Sequence, residues 1–277
     1  MQCMFLNLAF FFIFFLLLTI KKKMFECIIA AITFRTIVEC MEKMIDKVCF
    51  KVDTLGMGVQ VMDRRHVALL QLILRRESFL QFQIDQPIEI GVKLDYLSKI
   101  MKCADPEDTM KLFFIPDSPL LWIELTSCDG EQCSTFSLKL EEVDNENLGI
   151  PIRKYDCTVC ISSDQFQTIC HNLNTFSESV TIDISEKTIC FITNDGIRIV
   201  RSGWPFSTPI HPKKIYMSVE KPTITTVSLN YLTWFVVATP LCKTVYIFMS
   251  QDIPSVFQYK IDQISYLQFF LAPLIED

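Results

Sequence analysis

The strongest constraint on the fold is an internal repeat. The sequence VKLDYL at residues 92–97 is echoed by VSLNYL at 227–232, an offset of 135 residues (227 − 92). The same offset relates Thr109 to Thr244 and Pro119 to Pro254. A correspondence over about thirty residues without a gap indicates duplication of a whole domain rather than a short solenoid repeat. The chain is therefore predicted to contain two similar domains.

Changes in composition define the predicted domain boundaries. The repeat places an N-terminal domain over residues 24–138 and a C-terminal domain over 156–277. The intervening segment, 139–155, is acidic and polar and includes a proline. Because proline and neighbouring like charges resist compaction, this segment is predicted to be an extended interdomain connecting loop.

Residues 1–23 form a separate hydrophobic extension. Residues 5–20 are almost wholly apolar and three lysines follow them, a length that approaches a transmembrane helix. No basic segment precedes the apolar run and no small-residue cleavage site follows it, as a signal peptide would require. Three interpretations stay open: a lineage-specific extension, an upstream artefact before a true start at Met24, or a membrane anchor with a cytoplasmic body.

Each half of the chain is predicted to contain two short helices among many strands. Apolar residues recur at three- and four-residue spacing in the predicted helices, which cover 35–47, 94–102, 163–173 and 229–238. Alternating β-branched and aromatic residues mark the predicted strands, which cover 59–61, 67–74, 111–115, 121–125, 181–184 and 245–249. Helices on one face of antiparallel sheets define the α+β class.

The sequence motifs argue against an enzyme, a cofactor or a metal site. None of the patterns GxxxxGK[ST], GxGxxG, GxSxG or HExxH occurs. Cys157 and Cys160 are the only cysteine pair at metal-ligand spacing, but they lie on a predicted strand, where residues three apart face opposite sides. The twelve cysteines are therefore interpreted as free thiols in a reducing compartment.

The charge of the chain limits how it could bind nucleic acid. The formal net charge is −6 at pH 7, whereas a protein that neutralises many phosphates is expected to be basic. Any protein of this charge that acts on DNA must therefore bind it through local basic patches or be linked to it topologically.

Six segments, taken in order, resemble one known family. They are MFE at 24–26, VMDRRHV at 61–67, SKIMKCA at 98–104, LGIP at 148–151, ATPL at 238–241 and LAPLIED at 271–277. The chain from Met24 to Asp277 is similar to the proliferating cell nuclear antigen family, the eukaryotic DNA sliding clamps. The domain duplication agrees with this resemblance independently.

The resemblance implies a homotrimeric ring of three two-domain subunits, with antiparallel sheets outside and short helices lining the hole. Duplex DNA would pass through the ring in the nucleus. The ring would act as a processivity factor for a replicative DNA polymerase and as a docking platform for replication and repair proteins that carry short clamp-binding motifs. A separate clamp-loader ATPase would open it. No bond would be made or broken, and a basic lining would coexist with an acidic outer surface.

Two alternatives stay open. One is a checkpoint-type clamp subunit of a heterotrimer, which would share the fold. The other is a membrane-tethered protein-interaction module that uses residues 3–20 as an anchor. Because the family begins at a Met-Phe-Glu that matches Met24, the resemblance favours a misassigned start or a lineage-specific extension for residues 1–23, and a membrane is not an expected partner.

For partner binding, the resemblance implies an apolar pocket beneath the connecting loop. A shallow apolar pocket of this kind accepts an aromatic-bearing peptide. The residues that match its walls are Met62, His66, Val67, Leu148, Ile150, Pro151, Pro254, Phe270, Ala272 and Pro273.

The resemblance also implies a DNA-facing lining and a subunit interface. The DNA-facing positions are Arg35, Lys43, Lys99, Lys102 and His171. The trimer-interface positions are Thr135, Phe136, Ile197 and Ile199, with 135–139 of one subunit pairing with 197–200 of its neighbour.

Several positions depart from the family pattern. Basic lining residues are replaced by Thr168, His171, Asn230 and Val237, which predicts a weak grip on DNA, chiefly through the N-terminal domain. Glu186 stands at the family's modifiable lysine position, and Leu274 replaces a basic residue near the C-terminus.

Overall fold

The computed structural model describes residues 24–116, 118–143, 148–150, 153–207 and 214–274. Within them, the four α-helices are α1 (Ala31–Glu42), α2 (Leu94–Met101), α3 (Ser163–Asn174) and α4 (Leu229–Phe235). Two 3-10 helices cover Arg76–Ser78 and Val236–Leu241.

The strands of the first half are β1 (Phe25–Ala30), β2 (Lys47–Asp53), β3 (Gly56–Met62), β4 (Ala68–Arg75), β5 (Gln81–Ile84), β6 (Ile88–Lys93), β7 (Thr109–Phe114), β8 (Leu120–Thr126) and β9 (Cys133–Lys139). Those of the second half are β10 (Cys157–Ser162), β11 (Ser179–Ile184), β12 (Thr188–Thr193), β13 (Arg198–Pro205), β14 (Ile215–Val219), β15 (Thr223–Ser228), β16 (Thr244–Met249), β17 (Ser255–Lys260) and β18 (Tyr266–Leu271).

The order of the strands repeats between the two halves. The first half contains the runs β5-β1-β7-β8-β9 and β6-β2-β3-β4, and the second contains β14-β10-β16-β17-β18 and β15-β11-β12-β13. Each half thus contains one five-stranded and one four-stranded run, and the corresponding strands of the two halves follow one another in the same chain order. The predicted duplication and the α+β class are thus confirmed.

One sheet runs through both halves of the molecule. Strand β18 pairs antiparallel with β4, which joins strands of both halves into a 13-stranded sheet. The pairs Phe269–Leu70 and Leu267–Leu72 lie on its core face, where all four side chains are buried. The two domains are therefore connected by backbone hydrogen bonds and a shared core.

The four helices form a single layer on one side of the sheets. Helix α1 packs against α2, α3 packs against α4, and the 3-10 helix Val236–Leu241 contacts both α1 and α3. The apolar stripe of α1 explains this packing, since Phe34, Ile37, Val38 and Met41 are almost completely buried. The opposite faces of the helices carry the exposed side chains of the layer, among them Tyr96, Lys99 and His171.

The predicted bounds of the first helix were wrong. The helix begins at Ala31 and ends at Glu42, rather than covering 35–47. The buried Ala31 and Phe34 extend the apolar stripe toward the N-terminus. At the other end, the amides of Met44 and Ile45 both donate to the carbonyl of Met41, which closes the helix before β2 begins.

The sequence offset of 135 does not hold along the whole repeat. Strand pairing makes Ile123 equivalent to Phe257, because Ile123 lies opposite Leu112 and Phe257 lies opposite the corresponding Ile247. The offset there is 134 (257 − 123), so Pro119 and Pro254 are not structural equivalents. Eight residues separate the paired Phe113 and Trp122, whereas seven separate the equivalent pair, Phe248 and Val256. The second hairpin is thus one residue shorter, and burial of alternate side chains fixes the register of the strand.

The cysteines occupy ordinary structural positions. Cys157 and Cys160 lie in β10, as predicted, and are buried, and burial raises the pKa of both thiols. In the part of the chain that the structure describes, no three His, Cys, Asp or Glu side chains are placed to hold a metal ion. The same residues include no helix that is both long and apolar enough to cross a membrane. The hydrophobic extension, residues 1–23, lies outside them.

Candidate partner pocket and nucleic-acid interface

An open pocket of about 480 Å³ lies where the connecting loop crosses β4 and β18. Two loop residues, Leu148 and Ile150, form one wall, and Phe270 of β18 forms the floor. The other lining residues are Met62, His66, Val67, Ala68, Leu69, Gly149, Arg153, Tyr155, Asp252, Ile253, Pro254 and Ala272. Apolar side chains on three sides and few charges favour the binding of an apolar side chain from a partner.

The structure brings together most of the residues that the resemblance assigned to this pocket. Eight of them, Met62, His66, Val67, Leu148, Ile150, Pro254, Phe270 and Ala272, line it. Pro273 follows Ala272 but does not line the pocket, and Pro151 lies outside the described residues.

Sequence reasoning missed several lining residues. Tyr155 was assigned to the end of the connecting loop, yet its ring packs against Phe248 at 5.9 Å and its hydroxyl lies 3.5 Å from the carbonyl of Pro254. Asp252 adopts a positive φ of 60° in the turn before β17. The sequence offered only weak signals for these two positions. Tyr155 is an aromatic residue next to strand β10, and Asp252 is an Asp in a turn.

The turn between β3 and β4 is held by a buried carboxylate. Asp63 accepts hydrogen bonds from the amides of Arg65 (3.0 Å), Val67 (2.8 Å) and Ala68 (2.7 Å). These bonds support His66 at a positive φ of 57°, a conformation that non-glycine residues rarely adopt. In this position the His66 Nδ1 atom lies 3.1 Å from the sulfur of Met62, so both side chains line the pocket.

Asp63 also connects the pocket to the helix layer. The hydroxyl of Tyr231, on α4, donates to its Oδ2 atom at 2.6 Å. Burial opposes ionisation of Asp63, but the Tyr231 hydroxyl and the three amides outweigh it and hold the pKa of Asp63 below its usual value. Burial and the neighbouring carboxylate raise the pKa of Tyr231 to about 12. The pair is therefore a charged acceptor with a neutral donor at neutral pH.

Replacing Asp63 by Asn is expected to destabilise the protein by about 1.5–3 kcal/mol at pH 7, the usual range for a lost hydrogen bond to a charged group. The pKa of Asp63 is lower in the folded than in the unfolded protein, where it is about 3.9. The carboxylate therefore stabilises the native state fully above that pH, and this stabilisation is lost as the pH falls through the folded pKa. The difference from wild type should therefore shrink below about pH 4. Urea unfolding at several pH values measures it.

Asp53→Asn is the matched control, because Asp53 is exposed and accepts only the amide of Leu55 in a hairpin turn. It should change the free energy of unfolding by less than about 0.5 kcal/mol. Equal effects of the two substitutions would contradict the role given to Asp63.

The first residues of the connecting loop are attached to the N-terminal half. The amide of Glu141 donates to the carbonyl of Gly91 at 2.8 Å, and its carboxylate pairs with Lys47 at 2.9 Å and with Lys93 at 3.4 Å. The hydrogen bond from Lys47 and the two positive charges lower the pKa of Glu141. The acidic composition that predicted an extended segment is thus partly neutralised, and the loop is anchored before it reaches the pocket.

The predicted DNA-facing residues lie on or beside the helix layer. Arg35 is on α1 and Lys43 directly follows it, Lys99 is on α2 with Lys102 at its C-cap, and His171 is on α3. All except Arg35, which is half-buried, are exposed.

Two of these cations are paired with acids on their own helices. The Nε atom of Arg35 lies 2.9 Å from Oε1 of Glu39, and the Nζ atom of Lys99 lies 2.9 Å from Oδ2 of Asp95. Within the described residues, Lys102 forms no ion pair. The N-terminal half thus presents a modest rather than a strong positive surface.

The helices of the C-terminal half carry still less positive charge. Helix α4 has neither an acidic nor a basic residue, and α3 carries Asp164 as its only acidic and His171 as its only basic residue. The hydroxyl of Thr168 donates to the carbonyl of Asp164 at 2.8 Å. Side chains of this kind offer hydrogen bonds but no charge to a phosphate.

The predicted subunit-interface residues lie on two strands with a free side. Strand β9, which holds Thr135 and Phe136, is the last strand of the 5-stranded sheet. In β13 only residues 203–205 pair with β14, so the segment 198–202 pairs with β12 alone within the described chain. Ile197 and Ile199 are half-buried at this second edge. Unpaired edges of this kind are templates for pairing with another chain.

Comparison with known families identifies the class of protein. The family model "Proliferating cell nuclear antigen, N-terminal domain" matches residues 24–147, and "Proliferating cell nuclear antigen, C-terminal domain" matches residues 149–274. The chain belongs to the proliferating cell nuclear antigen family. This membership supports a DNA sliding clamp that serves DNA replication and repair, in a family whose members are scaffolds without catalytic activity.

Proposed function

We propose that this chain forms a homotrimeric ring that encircles duplex DNA in the nucleus. The ring increases the processivity of a replicative DNA polymerase and docks replication and repair proteins. One observation carries the proposal: the two free edges, β9 and β13, are the structural repeats of β18 and β4, which pair with each other inside the chain. A head-to-tail contact that repeats this internal pairing joins successive copies in one direction, which is the type of contact that builds a closed ring.

The repeat also predicts which residues would pair in this subunit contact. Strand pairing makes Phe136 equivalent to Phe269, and Ile197, just before β13, equivalent to Leu70. Because Phe269 lies opposite Leu70 within the chain, Phe136 of one subunit should lie opposite Ile197 of the next. The same correspondence between the two halves would place Ser134 opposite Ile199 and Thr135 opposite Arg198. The Phe136–Ile197 pair is apolar and would continue the core across the interface, whereas Ser134 and Thr135 would contribute polar side chains.

Encirclement accounts for the charge distribution. A ring that is linked topologically to DNA needs only weak phosphate contacts, and an acidic chain can carry a weakly basic lining. We place this lining on the exposed surface of the helix layer, with Lys99 and Lys102 as its main contacts. The C-terminal half contributes chiefly polar side chains.

Substituting both Lys99 and Lys102 by Ala should weaken the binding of the protein to duplex DNA. The variant should also stimulate a DNA polymerase less than wild type does. Affinity falls as salt is raised, and each lost phosphate contact reduces the magnitude of the slope of log affinity against log salt concentration by about 1. The slope can be measured by fluorescence anisotropy on a short duplex, and the stimulation by primer extension.

Lys187→Ala with Lys221→Ala is a matched control, because both lysines are exposed and lie in turns outside the helix layer. This control should retain the wild-type salt slope. An unchanged slope and unchanged polymerase stimulation in the Lys99 and Lys102 double variant would remove the assignment of the lining.

The pocket supports the proposed docking function. We assign it to short segments of partner proteins that bear an aromatic side chain, which would be buried against Leu148, Ile150 and Phe270. The replicative polymerase and the clamp-loader ATPase are the partners that such a segment would recruit. The ring itself provides a binding surface and a topological link to DNA, without a catalytic role.

A further inference from the structure

A second compartment adjoins the pocket. Its volume is about 330 Å³, and it shares the side chains of Ile150, Arg153, Tyr155 and Phe270 with the first. The remaining lining residues are Gln71, Phe248, Val256, Gln258, Tyr266 and Gln268. The shared side chains join the two compartments, and the second adds volume beyond the compartment that a single aromatic anchor would occupy.

Three glutamines form a ladder across the floor of the second compartment. Gln258, Gln268 and Gln71 lie directly opposite one another on the adjacent strands β17, β18 and β4. The Gln258 amide nitrogen donates to the Gln268 oxygen at 3.1 Å, and the Gln268 nitrogen donates to the Gln71 oxygen at 2.5 Å. The amide nitrogen of Gln71 ends the ladder with no acceptor among the described residues, so it can donate to a ligand.

Arg153 supplies a positive charge at the junction of the two compartments. Its side chain is exposed, lines both of them, and forms no ion pair with any described residue. The next residue, Lys154, instead pairs with Glu220 at 2.7 Å and lines neither. Asp252 lies in the first compartment, whereas no carboxylate lines the second. The second compartment therefore combines a guanidinium with amide donors, a combination that suits a carboxylate.

We propose that the second compartment selects partner segments that carry an acidic residue beside their apolar anchor. The inference rests on the proposed docking function of the pocket and names the chemistry of its partners. The aromatic anchor occupies the first compartment, and a Glu or Asp side chain on one flank reaches Arg153 and the Gln71 amide. Arg153 is thus a specificity-determining residue.

A set of fluorescein-labelled peptides tests this proposal. The peptides share one apolar, aromatic-bearing core and carry two Glu, two Ser or two Lys residues on either the N-terminal or the C-terminal flank. Fluorescence anisotropy with the full chain measures their dissociation constants. On one flank only, Glu should improve affinity over Ser by about 2- to 5-fold, the range of an exposed charge pair, and Lys should weaken it. The difference should fall as salt is raised from 50 to about 300 mM.

Arg153 variants assign the effect to this side chain. Arg153→Gln should abolish the preference for Glu, Arg153→Lys should retain part of it, and Arg153→Glu should reverse it. Lys154→Gln removes the same charge one residue away, outside both compartments, and should leave the preference unchanged. The Ser-flanked peptide should bind all four variants alike, which shows that the pocket is intact.

The possible failures are distinguishable. If no peptide binds the wild-type chain, the proposed docking function fails. If the peptides bind but the preference for Glu is absent, or is equal in wild type and Arg153→Gln, the docking function stands and the role of Arg153 is overturned.

Discussion

Phe136→Asp should convert the proposed trimer into monomers. The residue lies on the free strand β9, where the internal repeat places it opposite Ile197 of the neighbouring subunit. A carboxylate there would be buried against apolar side chains without a partner, which costs several kcal/mol at each contact. Because every subunit contact in a ring is the same, all three are lost together. Size-exclusion chromatography with light scattering should give three times the 32.1 kDa chain mass for wild type and a single chain mass for the variant.

Leu80→Asp is the control for this experiment. The Leu80 side chain is 72% exposed and lies next to β5, at the edge of the 5-stranded sheet opposite to β9. The control should remain trimeric. A Phe136→Asp variant that keeps the trimer mass, or a wild-type chain that is monomeric at micromolar concentration, would contradict the proposed interface. A wild-type monomer would instead favour a subunit of a heterotrimer.

Truncating both Leu148 and Ile150 to Ala should weaken the binding of an aromatic-bearing peptide by about 10- to 100-fold. Both side chains are half-buried on the wall of the pocket, where a bound ring would cover them. Removing apolar contact area from each is expected to cost about 0.7–1.4 kcal/mol, and 1.4 kcal/mol corresponds to tenfold in affinity. The thermal unfolding of the free protein should change little, because neither side chain belongs to the buried core. Isothermal calorimetry measures the affinity.

Leu274→Ala provides the comparison. Leu274 is 41% exposed and lies past β18, where its amide donates to the carbonyl of Thr226 rather than contributing to the pocket. This variant should bind the peptide as wild type does. If the double variant of Leu148 and Ile150 also retained wild-type affinity, the pocket would not be the docking site.

The sequence repeat predicted the duplicated architecture because the two halves keep their alternating apolar positions. It could not predict the register of every strand. Pro119 and Pro254 matched at the common offset, yet Phe257 rather than Gln258 is the buried equivalent of Ile123. A deletion of one residue in a turn hardly changes sequence similarity, whereas burial on one face of a sheet admits a single register.

The candidate pocket was predictable where the sequence resembles the family. Met62, Leu148 and Ala272 came from short segments that carry the resemblance, and they do line one cavity. The roles of Asp63 and Tyr231 were hidden, because their hydrogen bond joins positions 168 residues apart. The glutamine ladder was hidden for the same reason, since Gln71 and Gln268 meet only through the pairing of β4 with β18.

Encirclement of DNA is tested most directly by blocking the ends of a linear duplex. The purified chain is allowed to thread onto a long duplex with biotin at both ends, and streptavidin is then added to half of the sample. Both halves are washed in 0.5 M salt, which suppresses phosphate contacts, and retained protein is counted by single-molecule fluorescence. A ring that encircles DNA should persist on capped duplexes and slide off uncapped ones. Equal loss from both would contradict a sliding clamp.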